Sequence, residues 1–300
     1  KDNIEGTLQL NAPKGWVVSP PQLFTLERQG ETSTLLFTVT PPKNQSQGYL
    51  RPLIQIGDTY YDKELINIDY DHIPYQSVLL PSKAKVVRIN IEKKGHHIGY
   101  IQGAGDGVGQ SLEQIGYSVT NLDVTKISAQ SLKKYDAVVL GVRAYNTIGA
   151  LAFAQKELNK YVQAGGTMVV QYNTSHRLVT KQVAPYALSL SRDRVTDEFA
   201  PVTILDPSHS VLNSPNKITQ EDFKGWVQER GLYFPNKWAE EFTPILAMND
   251  KGAPQTKGSL LVARYGKGHY VYTGLSFFRE LPAGVAGAYR LFANIISIGE

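Results

Sequence analysis

His97-Ile98-Gly99-Tyr100-Ile101-Gln102-Gly103-Ala104-Gly105-Asp106-Gly107-Val108-Gly109 is the stretch where the chain changes character. Residues 98–102 form a short apolar run, a glycine-rich turn follows, and a helical segment reaches about Gly116. Downstream, strands are read at 117–123, 136–141 and 167–171, and Ser128 is placed to cap a short helix running to Lys134. Leu151, Ala154, Leu158, Tyr161 and Val162 mark one face of a helix that Gly165-Gly166 ends. Strands alternating with helices predict a doubly wound, mostly parallel sheet with helices on both faces, an α/β unit of flavodoxin-like type. Beyond residue 175 strands are expected at 202–205, 244–248, 259–265 and 270–273, the last two joined by Gly266-Lys267-Gly268. A final helix carries Val285, Tyr289, Phe292, Ile295 and Ile296.

Upstream the rhythm has period two. Leu35-Leu36-Phe37-Thr38-Val39-Thr40 and Val87-Arg88-Ile89-Asn90-Ile91 alternate, and Pro13-Lys14-Gly15, Ser19-Pro20-Pro21 and Pro41-Pro42 mark turns between short apolar runs. This pattern predicts an antiparallel β-sandwich over residues 1–94, followed by the α/β unit over 95–300, with the linker at Lys93-Lys94-Gly95.

The 300 residues are 42% hydrophobic and 19% charged, which supports a sizeable core and excludes global disorder. The net charge of +4 is spread evenly, 11 basic against 10 acidic residues over 1–95 and 20 against 17 over 96–300. No basic stripe of the kind a nucleic-acid binder needs is present. There is no cysteine, hence no disulfide and no thiolate chemistry, and no apolar run approaches a membrane span. The chain starts at Lys1 and its methionines are Met168 and Met248, so it reads as a processed protein or a piece of a longer one.

The glycine loop is the sharpest local motif. It follows a strand and opens a helix, and Asp123 lies 20 residues after Gly103. In a dinucleotide site Gly103, Gly105 and Gly109 would bring backbone N–H groups to a pyrophosphate and Asp123 would take a ribose hydroxyl. Val108 stands where G-x-G-x-x-G requires its third glycine, and Asp106 puts negative charge where phosphates would lie. A plain strand-to-helix turn is the other reading. No G-x-S-x-G elbow and no phosphate-binding lysine loop occur. His96 and His97 are adjacent, and His176, His209 and His269 are single ligands, so no metal site is expected.

Ligands of open parallel sheets bind beyond the carboxyl ends of the strands. There the sequence places Arg143, Tyr145 and Asn146 after the third strand, Tyr172 and Asn173 after the fourth, and Arg279 and Glu280 after the last. Arg192, Glu229 and Arg230 fall in long loops. Rings beside amides, guanidinium groups and carboxylates suit a sugar, although local ion pairs ordering a loop would give the same pattern. In the first unit Trp16, Tyr49, Tyr60 and Tyr61 are a weaker glycan platform, read chiefly as packing residues.

Three groups of residues carry a family likeness. Asn11-Ala12-Pro13-Lys14-Gly15-Trp16, Pro20, Phe24, Gly30-Glu31 and Phe37-Thr38-Val39-Thr40-Pro41-Pro42 resemble the NEW3 domain, an immunoglobulin-like sandwich attached to carbohydrate-active enzymes. Residues 96–300 resemble the class I glutamine-amidotransferase-like fold in its ThuA-like branch. Through Gly141-Val142-Arg143-Ala144-Tyr145-Asn146-Thr147, Trp226-Val227-Gln228-Glu229-Arg230-Gly231-Leu232-Tyr233-Phe234 and residues 274–284, the whole chain is similar to the C-terminal portion of long PIG-L (LmbE-like) deacetylases of Bacteroidetes-type bacteria. The resemblance implies a secreted, periplasmic or outer-envelope parent that deacetylates N-acetyl-amino sugars with zinc. Its Pro-His-Pro-Asp-Asp metal motif is missing here, so zinc and catalysis are expected in an upstream domain, which would be a partner of this region. The amidotransferase nucleophile position reads Tyr172-Asn173-Thr174 and the histidine region reads Gly274-Leu275-Ser276-Phe277, so the triad is not carried. The expectation is a non-catalytic accessory region that binds or positions amino-sugar glycan or packs on the zinc domain. A ligand-free spacer is one alternative, and a nucleotide-binding or hydrolytic unit using the 103–109 loop, Glu229 or Glu280 is another.

Overall fold

The structure, a computed structural model, describes residues 3–299 and divides into two compact units between Asn90 and Ile91. In the first unit Ile4–Asn11 pairs antiparallel with Gln22–Leu26 on one side and Ser46–Ile56 on the other. Thr59–Tyr61 and Ala84–Arg88 join along Ser46–Ile56. Two separate ribbons, Val17–Val18 with Val39–Thr40 and Lys63–Ile68 with Gln76–Pro81, accompany this sheet among the described residues, in place of the second full sheet a sandwich calls for. Only Val39–Thr40 of the expected 35–40 strand forms, and Leu36 is left 81% exposed. Trp16 is a half-buried packing residue whose indole N–H donates to Ser46, while Tyr49, Tyr60 and Tyr61 stay exposed.

A two-stranded ribbon is marginal in water unless something packs on it. Lys63–Ile68 and Gln76–Pro81 expose Leu65, Leu79 and Leu80, and the turn between them carries Tyr70 and Tyr75 at 61% and 60% exposure. Chymotrypsin at a low ratio is therefore expected to cut first after Tyr70 or Tyr75, read by mass spectrometry of the early fragments. First cuts within 97–299 would contradict this.

The second unit is built on a seven-stranded sheet ordered Ser118–Asn121, His97–Ile101, Ala137–Leu140, Thr167–Gln171, Gly268–Thr273, Leu260–Tyr265, Phe242–Pro244. The first five run parallel, Leu260–Tyr265 runs antiparallel to them, and Phe242–Pro244 is antiparallel to Leu260–Tyr265. Ala137–Leu140 and Thr167–Gln171 are buried along their whole length, which is why they read as continuous apolar runs rather than as alternation. Ser128 caps its helix through a capping box with Ser131. Leu151–Gln163 buries the predicted apolar face, and Gly165 turns the chain out at φ +124°. Ala286–Ile296 packs on the segment around Gln220–Phe223. The unit is thus α/β, as the alternating rhythm implies.

Two segments depart from the sequence reading. Residues 92–95 are not a free linker: the Glu92 N–H donates to Asn216 Oδ1, Asn216 Nδ2 donates back to the Glu92 carbonyl, and the Lys94 N–H donates to Ser297 Oγ. Buried Asn216 and Asn294 need those partners, and meeting that need draws the segment into the second unit. Ser191-Arg192-Asp193-Arg194 is not in a loop either. It lies in the strand Leu188–Val195, paired with Gly231–Trp238 through three register shifts. Bulges of this kind break the period-two pattern that reveals a strand.

Candidate ligand site at the strand ends

The five parallel strands end in loops on one side of the sheet, and a polar network fixes the loop that follows His97–Ile101. Gln171 Nε2 donates to the Tyr100 hydroxyl, which donates to Asp106 at 2.5 Å. Asp106 in turn accepts the N–H groups of Val108 and Val142, both at 3.0 Å. The carboxylate thus fills the position an anion would take over the glycine loop. Burial beside that negative charge pushes the Tyr100 phenol far up, so it remains a donor. A Cβ on Gly103 would lie 2.1 Å from the Val142 carbonyl oxygen, so this glycine serves close packing of two strand-end loops. Gly105, at φ +105°, turns the loop, and Gly109 packs over Tyr100. Asp123 caps the turn Val124–Lys126, accepting from Thr125 N and Oγ1 and pairing with Lys126 at 3.1 Å. A dinucleotide would need the helix-opening N–H of Val108 and the Asp123 carboxylate, and both already have partners.

Tyr145 and Asn173 sit at the strand ends, yet both turn inward. Tyr145 is fully buried and donates to Gln155 at 2.5 Å. Asn173 accepts the Tyr145 N–H and donates to the Gln171 carbonyl. Asn146 clasps the 174–176 loop, accepting from Thr174 N and donating to the Thr174 and His176 carbonyls. Arg230 is also structural: its guanidinium donates to the carbonyls of Ala200 and Phe223 and lies over Trp226. Arg192 remains exposed on its strand, and among the described residues no hydrogen bond or ion pair joins it to the strand ends.

What does converge is an aromatic shelf. Tyr172 stacks on Tyr233 with ring centres 6.0 Å apart and planes 9° from parallel, and Phe278 packs against Tyr172 at 5.3 Å. Tyr172 is 9% exposed and forms the floor; Tyr233, Phe278 and Arg279 are part-exposed, and Arg143 is exposed. Arg279 lies over the Phe278 ring and donates to Glu229 at 2.9 Å. The charges of Arg143, Glu229 and Arg279 all act on the Tyr172 phenol, though burial dominates and raises its pKa.

Three non-glycine residues around this shelf are left-handed: Arg143 at φ 58°, Gln228 at 72° and Tyr233 at 53°. Each costs roughly 1–2 kcal/mol, and such strain concentrates at ligand sites. The surroundings hold it in place, because the Arg143 N–H donates to the Tyr172 carbonyl and Leu232 donates to Gly274. Sequence reading misses Tyr233 and Phe278 as site residues; their one signal is an aromatic beside a strand-end Arg–Glu pair.

Glu229 is bonded to Arg279, and among the described residues Glu280 accepts from the Val227 N–H alone, at 2.9 and 3.2 Å. Ser276 Oγ is buried and has no hydrogen-bond partner among the described residues. No group of three or more His, Asp or Glu side chains able to hold a metal occurs among the described residues, and no described helix is long and apolar enough to cross a membrane.

No family model matches the chain, and no curated protein matches it. Among solved structures it is similar to a putative ThuA-like protein from Bacteroides uniformis (13% identity, 66% of this chain and 88% of that one, TM-score 0.43). It is similar to a putative GMP synthase component from Thermoplasma acidophilum (12% identity, 69% and 96%, TM-score 0.44). It is similar also to a cytoplasmic protein from Salmonella typhimurium (13% identity, 79% and 96%, TM-score 0.46).

Proposed function

We propose that the chain is a non-catalytic accessory region of an amino-sugar deacetylase, secreted or held in the cell envelope, and that its α/β unit binds amino-sugar glycan at the strand ends. The observation that carries this reading is the strained shelf of Tyr172, Tyr233 and Phe278 flanked by Arg143 and the Glu229–Arg279 pair. A pyranose face can lie on the part-exposed rings while its hydroxyls bond the guanidinium groups, and Glu229 offers a carboxylate to a sugar ammonium. The deacetylase context rests on the sequence resemblance through residues 141–147, 226–234 and 274–284, together with the NEW3-like pattern upstream. The zinc domain then belongs to another part of the parent protein, and this region supplies binding or packing.

The test is thermal unfolding of this chain with glucosamine and N-acetylglucosamine oligomers and with NAD(H). A ligand at 100 times its dissociation constant adds about 2.7 kcal/mol to the unit it binds, a shift of several degrees. Arg279→Ala and Tyr233→Ala are expected to weaken an amino-sugar shift by about tenfold in affinity or more. A shift with the dinucleotide alone would transfer the site to the glycine loop, and no shift with any sugar would defeat the binding reading.

A further inference from the structure

A second cleft lies in the same α/β unit, lined by none of the shelf residues, with a volume of about 430 Å³, within the range of small-molecule sites. One wall is the bulged ribbon Leu188–Val195 with Gly231–Trp238; the other is the 250–257 loop. The walls are stapled together. Asp250 accepts from Thr196 N, Thr196 Oγ1 and Asp197 N at 2.9–3.0 Å. Thr256 and Met248 exchange backbone hydrogen bonds at 2.9 and 3.0 Å that close the base of the 250–257 loop, and Gly258 packs on the Pro235 carbonyl so closely that a Cβ would lie 2.0 Å from its oxygen. The cleft is therefore preformed, and the bulges between Leu190 and Arg194 re-aim Asp193 and Arg194 into it.

Its lining is unusual in what it leaves unspent. The side chains of Asp193, Arg194, Asn236, Trp238 and Lys257 make no hydrogen bond to another described residue, whereas Gln255 donates to Thr203 and the Thr256 hydroxyl donates to the Met248 carbonyl. Arg194 acts on Asp250 through space without pairing with it. An indole, two amides, one carboxylate and two cations, all open to a shared space, offer one apolar ring face, donors and acceptors for hydroxyls, and a net positive charge. The walls are strand and loop, with no helix N-terminus to cradle a phosphate.

We propose that this cleft is a second binding site, for an acidic saccharide whose ring stacks on Trp238 and whose carboxylate meets Arg194 and Lys257. Asp193, Asn236 and Gln255 take the hydroxyls. The site is independent of the strand-end shelf and differs from it in selecting for negative charge.

The experiment is tryptophan fluorescence titration of the whole chain with digalacturonic acid, and with neutral digalactose as the uncharged counterpart. Trp226 is buried and Trp16 lies in the other unit, so the response is assigned by comparing Trp238→Phe. The expected result is saturable binding of the acid at least tenfold tighter than the neutral sugar, weakening with salt. Arg194→Ala and Lys257→Ala each lose about tenfold, with unchanged circular dichroism, while Arg279→Ala binds as the parent does. Equal affinity for both sugars, or no saturation by about 10 mM acid, overturns the proposal. Loss in Arg279→Ala with retention in Arg194→Ala also overturns it, and leaves the strand-end reading standing.

Discussion

Alanine at Gly287 is expected to destabilise the second unit by about 2–3 kcal/mol, although a glycine-to-alanine change inside a helix ordinarily stabilises by up to about 1 kcal/mol. Gly287 lies in Ala286–Ile296 where that helix crosses the turn Gln220–Phe223. A Cβ there would sit 1.9 Å from the Asp222 carbonyl oxygen and 2.3 Å from its Cα. Backbone, not a flexible side-chain tip, is in the way. That backbone is pinned: Thr219 and Asp222 form a capping box, Trp226 Nε1 donates to the Asp222 carbonyl at 2.9 Å, and Arg290 pairs with the Asp222 carboxylate at 2.6 Å. Chemical denaturation of the Gly287→Ala chain measures the effect. An unchanged or raised midpoint would mean that the turn yields to the helix.

The second large effect belongs to Glu280. Its carboxyl is fully buried with one backbone donor, and burial raises its pKa from an ordinary carboxylate value to about 8, against smaller opposing contributions from the Val227 N–H and Arg230. Glu229 adds to the rise and Arg279 opposes it. The folded-state value lies above the unfolded one, so the group costs nothing when both states are protonated. The penalty develops as pH climbs from the unfolded value of about 4.5 to about 8. Glu280→Gln keeps an acceptor for Val227 and removes the proton equilibrium. The variant is expected to match the parent near pH 4 and to exceed it by about 3–5 kcal/mol near pH 9. Thermal melts at pH 4, 6 and 9 read this directly. A difference between variant and parent that does not grow with pH would show that Glu280 is ionised in the folded chain at little cost.

The parallel strands were legible because Ala137–Leu140 and Thr167–Gln171 are buried on both faces and spell their burial out as unbroken apolar runs. The location of the shelf followed from the same rule, since ligands of such sheets sit beyond the strand ends. The role of each side chain there did not follow. Glu229-Arg230 and Arg279-Glu280 each look like a local ion pair, but the structure crosses them. Glu229 bonds Arg279, Arg230 spends its guanidinium on carbonyls, and Glu280 holds Val227. Arg279 and Glu280 are successive residues of the short helix Phe277–Glu280 and so leave it in different directions, one toward Glu229 and the other toward Val227, and adjacency in sequence hides the partner rather than naming it. Tyr145 and Asn173 are buried as well, Tyr145 on the inner side of the short helix Ala144–Thr147 and Asn173 beneath it, accepting the Tyr145 N–H. The ribbon Leu188–Val195 with Gly231–Trp238 was illegible because its register shifts destroy alternation, and with it went the second cleft.

The order of the sheet bears on how the chain comes to be folded. Thr167–Gln171 is the central strand, and its partner on one side, Gly268–Thr273, arrives about a hundred residues later. During synthesis this strand waits with one edge unpaired until the last hairpin emerges. Five buried residues, Thr167-Met168-Val169-Val170-Gln171, offer that edge to any other chain in the meantime. The sheet of the second unit is thus closed only when Gly268–Thr273 docks into the gap beside Thr167–Gln171, a pairing of long sequence separation.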